Sequence, residues 1–226
     1  MQKINKNQLG GSASVFVILG QVGTGKTSII RSHAGKKVLF SFDDSYEVIQ
    51  DWNDDEIESI ETYGGITSQD IFNIDKFLSE ATELTKDADL IVFDNISALE
   101  GILVDDMSDG KVGNNRNLQA AYGATQKVLR KMVRWAVQQH KDVIFTLWSK
   151  VADGFEKPAM NDNAFNSMAG YAKIVGRTFK DSQGYRVALQ PSLSGVAKNR
   201  INKLDKINNK DFWKATQFKE TNKQKG

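Results

Sequence analysis

The sequence predicts an α/β fold, a mostly parallel sheet flanked by helices with an antiparallel hairpin towards the C-terminus. Three observations predict it. Short apolar runs recur along the chain and read as strands buried on both faces. Longer stretches between them carry apolar residues at helical spacing. Residues 171–179 and 185–189 then alternate around Asp181-Ser182-Gln183-Gly184, as an antiparallel hairpin does.

In chain order, residues 1–14 are polar and Gly-rich and read as a loose lead-in. Val15-Phe16-Val17-Ile18-Leu19 is the first buried strand, and a helix over 27–33 follows. Lys37-Val38-Leu39-Phe40-Ser41-Phe42 is the second strand, and 56–63 reads as a short third. Residues 68–86 place Ile71, Ile74, Phe77, Leu78, Ala81 and Leu84 on one helical face, with Thr67 or Ser68 as cap. Asp89-Leu90-Ile91-Val92-Phe93-Asp94 is the next strand. A polar loop is expected over 100–117, a long helix over 118–140, and a core strand at Val143-Ile144-Phe145-Thr146-Leu147. An irregular stretch containing Pro158 is expected over 149–167. The expected organisation is a lead-in (1–14), one domain (15–204) and a basic tail (205–226).

Composition narrows the function classes. The chain has 226 residues and no cysteine, which excludes disulfides and Cys-based zinc sites and makes a cytoplasmic setting the expectation. No apolar run approaches the roughly 18 residues of a membrane span, and the first residues lack the apolar core of a secretion signal. From Lys198 onward there are nine Lys/Arg against three Asp/Glu; the rest of the chain holds 21 basic and 25 acidic residues. Such a basic end fits either a polyanion such as nucleic acid or a merely solvated tail.

The chemistry is concentrated in Gly20-Gln21-Val22-Gly23-Thr24-Gly25-Lys26-Thr27, a complete G-x-x-x-x-G-K-T pattern set between a strand and a helix. The glycines let the backbone close round a phosphate, with amide N–H groups turned inward at a helix N-terminus. Ser28 continues that turn. Lys26 supplies charge to the β- and γ-phosphate oxygens, and Thr27 a hydroxyl ligand for Mg²⁺. ATP with Mg²⁺ is the cofactor pair this implies. Asp94, at the end of an apolar strand, fits the second metal-side group. Asp43 and Asp44, just past the second strand, are both candidates for orienting the attacking water, with Glu47 further off.

Leu90-Ile91-Val92-Phe93-Asp94-Asn95-Ile96-Ser97-Ala98-Leu99 is similar to the Walker B segment of RecA-type recombinases, and the order of elements resembles the RecA core. Tyr122-Gly123 and Val143-Ile144-Phe145-Thr146 resemble small phage nucleotide-binding proteins, including the Sak-type single-strand-annealing ATPases. The resemblance implies a RecA-like ATPase of DNA recombination or annealing that acts as a ring or filament on single-stranded DNA. An external single-strand-binding protein is a further candidate partner. It implies that Lys198 and Arg200 reach a neighbouring subunit's ATP, that 100–117 and 149–167 are DNA-binding loops, and that a γ-phosphate sensor ends the 143–147 strand, where Ser149 is the polar candidate. The first loop sets Glu100, Asp105, Asp106 and Asp109 against Lys111 and Arg116, a poor match to a phosphate backbone. A second function class, a nucleotide-dependent switch or packaging accessory acting on a protein partner, suits that acidity.

Overall fold

In a computed structural model, described here for residues 14–113 and 117–216, the chain forms one continuous mixed sheet. Its strands are β1 (Val15–Gly20), β2 (Lys37–Ser41), β3 (Ile60–Tyr63), β4 (Leu90–Asp94), β5 (Asp142–Ala152), β6 (Phe155–Pro158), β7 (Ile174–Asp181), β8 (Gly184–Ala188), β9 (Lys198–Asn199) and β10 (Lys206–Asn208). The main order is β10-β8-β7-β1-β5-β4-β2-β3. β7, β1, β5, β4, β2 and β3 run parallel, and β8 and β10 extend the sheet antiparallel. The helices are α1 (Lys26–Arg31), α2 (Asp54–Glu58), α3 (Ser68–Phe72), α4 (Ile74–Leu84), α5 (Ile96–Ser108), α6 (Leu118–Gln138), α7 (Asp162–Tyr171) and α8 (Phe212–Thr216). Among the described residues no helix is long and apolar enough to cross a membrane.

The apolar runs form the middle of this sheet because both faces are covered. Alternate residues of β1 enter opposite layers. Val15, Val17 and Leu19 pack into the core under α3–α7. Phe16 and Ile18 pack with Ile29 and Ile30 of α1 and with Phe212 and Trp213 of α8. β1 sits between β5 and β7, so its carboxyl end opens near the middle of the carboxyl edge.

Several expectations are corrected. The first half of the loop expected over 100–117 is α5, in which Ile96, Leu99, Leu103, Val104 and Met107 are buried at helical spacing; residues 114–116 lie outside the described residues. Gly101 lies inside that helix with open space where a Cβ would stand. The irregular stretch 149–167 is the end of β5, all of β6 and the first part of α7. Asp153 (φ 52°) and Gly154 (φ 76°) join β5 to β6 with left-handed backbone at both positions, the two-residue turn whose twist matches a hairpin. The strand expected over 56–63 is α2, closed by an Asn53–Glu56 capping box, followed by β3. The helix expected over 68–86 is broken at Asn73 into α3 and α4. Residues 206–216 of the expected tail pair β10 with β8 and bury Phe212 and Trp213, whose indole N–H donates to Ile29 O. The remaining tail, 217–226, and lead-in residues 1–13 lie outside the described residues.

Candidate functional site

The glycine-rich loop leaves β1 at Gly20. A Cβ there would stand 2.0 Å from Thr178 Oγ1 and 2.5 Å from Thr24 Oγ1, so glycine is required by contact. Gly23 (φ 75°) and Gly25 (φ 88°) require it by conformation. Thr24 and Thr178 hydroxyls lie 2.7 Å apart, tying the loop to β7. Gln21 and Val22 are exposed at the loop's rim, and Thr27 and Ser28 are half-buried in the first turn of α1.

Lys26 Nζ donates to Gly20 O and Gln21 O, each at 3.0 Å, and so lies along the cradle that its own loop makes. Burial lowers its pKa, opposed by the charges of Asp94, Asp43 and Glu156. The charges of those three carboxylates thus reach the ammonium from β4, from just past β2 and from β6. Asp94 lies level with Ser41 in the β2–β4 register and accepts a hydrogen bond from the buried Thr146 hydroxyl of β5. Burial pushes its carboxyl up to about 6; Thr146 opposes that, Asp43 adds to it, and Lys26 opposes it.

The two adjacent acids separate in space. Asp43 is half-buried, and its charge acts on both Lys26 and Asp94. Asp44 is exposed, in left-handed backbone (φ 53°), at the start of a 3-10 turn (Ser45–Asp51). Glu47 is exposed as well. Of the two, Asp43 is therefore the acid whose charge reaches the loop lysine. It also accepts from Ser45 N–H at 3.1 Å, so turn capping and site facing coexist in one side chain.

Three buried polar groups join the site without having been singled out in the sequence. Thr146 interrupts the apolar run of β5, and a hydroxyl buried there needs a partner. Glu156 and Arg177 form an ion pair at 2.8 Å, with side chains 11% and 12% exposed. Ser149, expected as a phosphate sensor, donates its hydroxyl to Glu156, and the pair locks the β5–β6 hairpin against β7.

Lys198 and Arg200 are placed away from the loop. Lys198 Nζ donates to Ala169 O and, at 3.4 Å, to Gly170 O; Arg200 Nη1 donates to Gly170 O at 3.4 Å. Both cations thus complement the carboxyl end of α7. Lys198 pairs with Val175, which is level with Val17. That places it ~10 Å towards the amino edge from Gly20.

A phosphate loop with positive-φ glycines, a lysine within it, a hydroxyl behind it and an acid on a nearby strand is the arrangement of a P-loop nucleotide site. A family model described as AAA domain matches residues 12–201. The chain belongs to this AAA domain family. The fold of this AAA domain is similar to that of a KaiC-like protein from the hyperthermophilic archaeon Pyrococcus horikoshii. Identity is 16%, with 86% of this chain and 84% of that one covered and a TM-score of 0.53. No curated protein matches the sequence.

The AAA domain is thus a P-loop NTPase with a RecA-type fold. Its own residues fit Mg-nucleotide: the loop amides and Lys26 would hold the phosphates, and Thr27 and Asp94 the ion. The ion would offset charge on the phosphate oxygens during transfer. Lys26 would neutralise the terminal phosphates, Thr146 fixes the Asp94 carboxylate, and the charge of Asp43 reaches both Lys26 and Asp94.

A pH test follows from Asp94. Its folded-state value lies above its ordinary value of 3.8. The folded protein therefore holds the proton more tightly and loses stability as pH rises from about 4 through about 6. In EDTA, Asp94→Asn is expected to flatten that loss and to stabilise the fold at pH 7 by on the order of 2–3 kcal/mol, read as a higher Tm. The same variant is expected to lose Mg-dependent ATP turnover. Thermal melts at pH 4.5 and 7 check the first outcome; an unchanged pH slope would refute it.

Proposed function

We propose that this AAA domain is an ATP-hydrolysing, single-stranded-DNA-binding protein of the recombination or annealing type, resembling the Sak-type ATPases and acting as a self-assembly. The observation that carries this reading is the β5–β6 hairpin. β5 runs beside β1 with Trp148 opposite Gly20, then continues past the sheet edge and folds back as β6. Lys150 pairs with Lys157 and Ala152 with Phe155, so alternation places Trp148, Lys150, Phe155 and Lys157 on one face. Trp148 and Phe155 are 38% and 36% exposed.

In sequence this stretch reads as near neutral. The fold sorts its charges: Glu156 turns to the opposite face and is neutralised by Arg177, while Asp153 sits in the turn and Asp162 in the first turn of α7. Two rings alternating with two ammonium groups, with no carboxylate from the hairpin itself on that face, suit stacked bases and a phosphate backbone, and the charge of Lys150 also reaches Glu100 of α5. The same strand borders the phosphate loop, which supports coupling between nucleotide and strand. Lys198 and Arg200 are bonded to carbonyls at the end of α7, so their role on a neighbouring subunit's nucleotide in a ring or filament rests on the resemblance alone.

The test is fluorescence anisotropy of a labelled oligo-dT strand, with ATP turnover measured in parallel over a range of protein concentration. The Trp148→Ala/Phe155→Ala double variant is expected to weaken binding at least about ten-fold, as loss of base stacking does. Lys150→Ala/Lys157→Ala is expected to flatten the salt dependence, by about 0.7 in slope for each phosphate no longer neutralised. Turnover is expected to rise with DNA and with protein concentration. Turnover blind to both, with no strand retained, would overturn the reading in favour of a switch acting on a protein partner.

A further inference from the structure

Two of the three acids whose charge reaches Lys26, Asp94 and Asp43, lie to one side of β1; the third, Glu156 of β6, is paired with Arg177 of β7. Lys26 feels Asp94 and Asp43, and Asp94 is held by Thr146. These acids and the hydroxyl come from β4, from the end of β2 and from β5. A nucleotide whose γ-phosphate faces them must send its nucleoside across the other side of β1, where β7 and β8 lie.

That flank carries a built surface. Thr178 of β7 touches the loop through Thr24. Lys180 is two residues further on the same face and pairs across the hairpin with Tyr185. Carbons Cδ1 and Cγ of Tyr185 lie 3.0 and 3.1 Å from the point where a Cβ on Gly25 would stand, so the ring abuts the loop itself. Lys180 Nζ is 5.2 Å from the ring centre. Tyr185 is nonetheless 42% exposed as a residue, whereas Val187, next on that face of β8, is fully buried. Asn209, 2% exposed, donates its amide N–H to Gly25 O at 2.7 Å and holds the same glycine from beneath.

We propose that Tyr185 is the stacking platform for the nucleobase, with Lys180 beside it and Asn209 fixing the loop against which the ring is set. The inference rests on the P-loop holding the triphosphate. An exposed aromatic ring against a phosphate cradle, on the side the nucleoside must cross, offers a base what water does not: a π-face and a neighbouring cation.

The test compares ATP with inorganic tripolyphosphate, which has the phosphates and no base, by calorimetry on the full chain. Tyr185→Ala is expected to weaken ATP binding at least about ten-fold and to leave tripolyphosphate affinity unchanged. Tyr185→Phe, which keeps the ring, is expected to bind both as the parent does. Tyr185→Trp is expected to report ATP, and not tripolyphosphate, by a change in indole emission. ATP bound by Tyr185→Ala as tightly as by the parent would overturn the proposal. So would an equal loss of ATP and tripolyphosphate, since the ring would then only prop the loop. If the parent chain bound neither ligand, the phosphate site itself would fall and the platform with it.

Discussion

Lys26→Ala is expected to abolish measurable ATP turnover, with a fall in kcat of at least about 10²–10³-fold, the scale set by removing one positioned charge donor. Lys26 Nζ lies along the loop, bonded to Gly20 O and Gln21 O, and the charges of three carboxylates, on β4, on β6 and just past β2, act on it. Nothing else in the loop carries positive charge. Without the ammonium, the phosphate oxygens meet Asp94 and Asp43 uncompensated, so ATP affinity is expected to fall as well. Lys26→Arg is not expected to rescue, because a planar guanidinium cannot replace a compact ammonium inside the loop. Lys26 sits at the rim of the core, so Tm is expected to stay within a few degrees of the parent. Phosphate release and a thermal melt on the same sample check both halves. Turnover retained in Lys26→Ala would refute the phosphate site.

Phe93→Ala is expected to have the largest effect on stability. Phe93 is fully buried at the centre of the sheet. Its ring stacks on Phe40 at 5.3 Å and on Phe145 at 5.1 Å, and meets the edge of Trp135 at 5.8 Å. Phe40, Phe93 and Phe145 occupy one register level across β2, β4 and β5. Truncation in such a place costs about 3–5 kcal/mol, and aromatic pairing adds to the loss. For a domain of this size each kcal/mol shifts Tm by roughly 2–4 °C, so a drop of about 6–20 °C is expected. Denaturant unfolding should show a lower midpoint with an unchanged slope. Phe93 precedes Asp94, so nucleotide affinity is expected to weaken in the fraction that stays folded. A melt within about 2–3 °C of the parent would show that the aromatic ladder contributes little.

The central strands are legible because each is a continuous apolar run, and a strand buried on both faces leaves that mark whatever its neighbours are. The phosphate loop is legible because glycine positions and a lysine at fixed spacing are themselves the local geometry. α5 is hidden: Gly101 and the Asp105-Asp106 pair look like loop residues, although Leu99, Leu103 and Met107 already carry helical spacing. Burial of that face outweighs the roughly 1 kcal/mol that a mid-helix glycine costs. The β5–β6 hairpin is hidden too, although Asp153-Gly154 is a strong turn signal, because Pro158 and scattered charges make the flanks look irregular. The basic end reads as a tail because its charges outnumber its two buried aromatics, Phe212 and Trp213.

By itself the sequence determined the parallel core, the phosphate loop with Lys26 and Thr27, and the acid Asp94 that ends β4, because each rests on a pattern within a few residues. Only the tertiary structure set Asp43, half-buried with its charge reaching Lys26 and Asp94, apart from the exposed Asp44. Only it brought Thr146 to Asp94, buried Glu156 on Arg177, and set Tyr185 against Gly25. Those pairings join residues tens to well over a hundred positions apart. Which of them meet depends on strand order and register, and these are set by the packing of the whole sheet rather than by any local run.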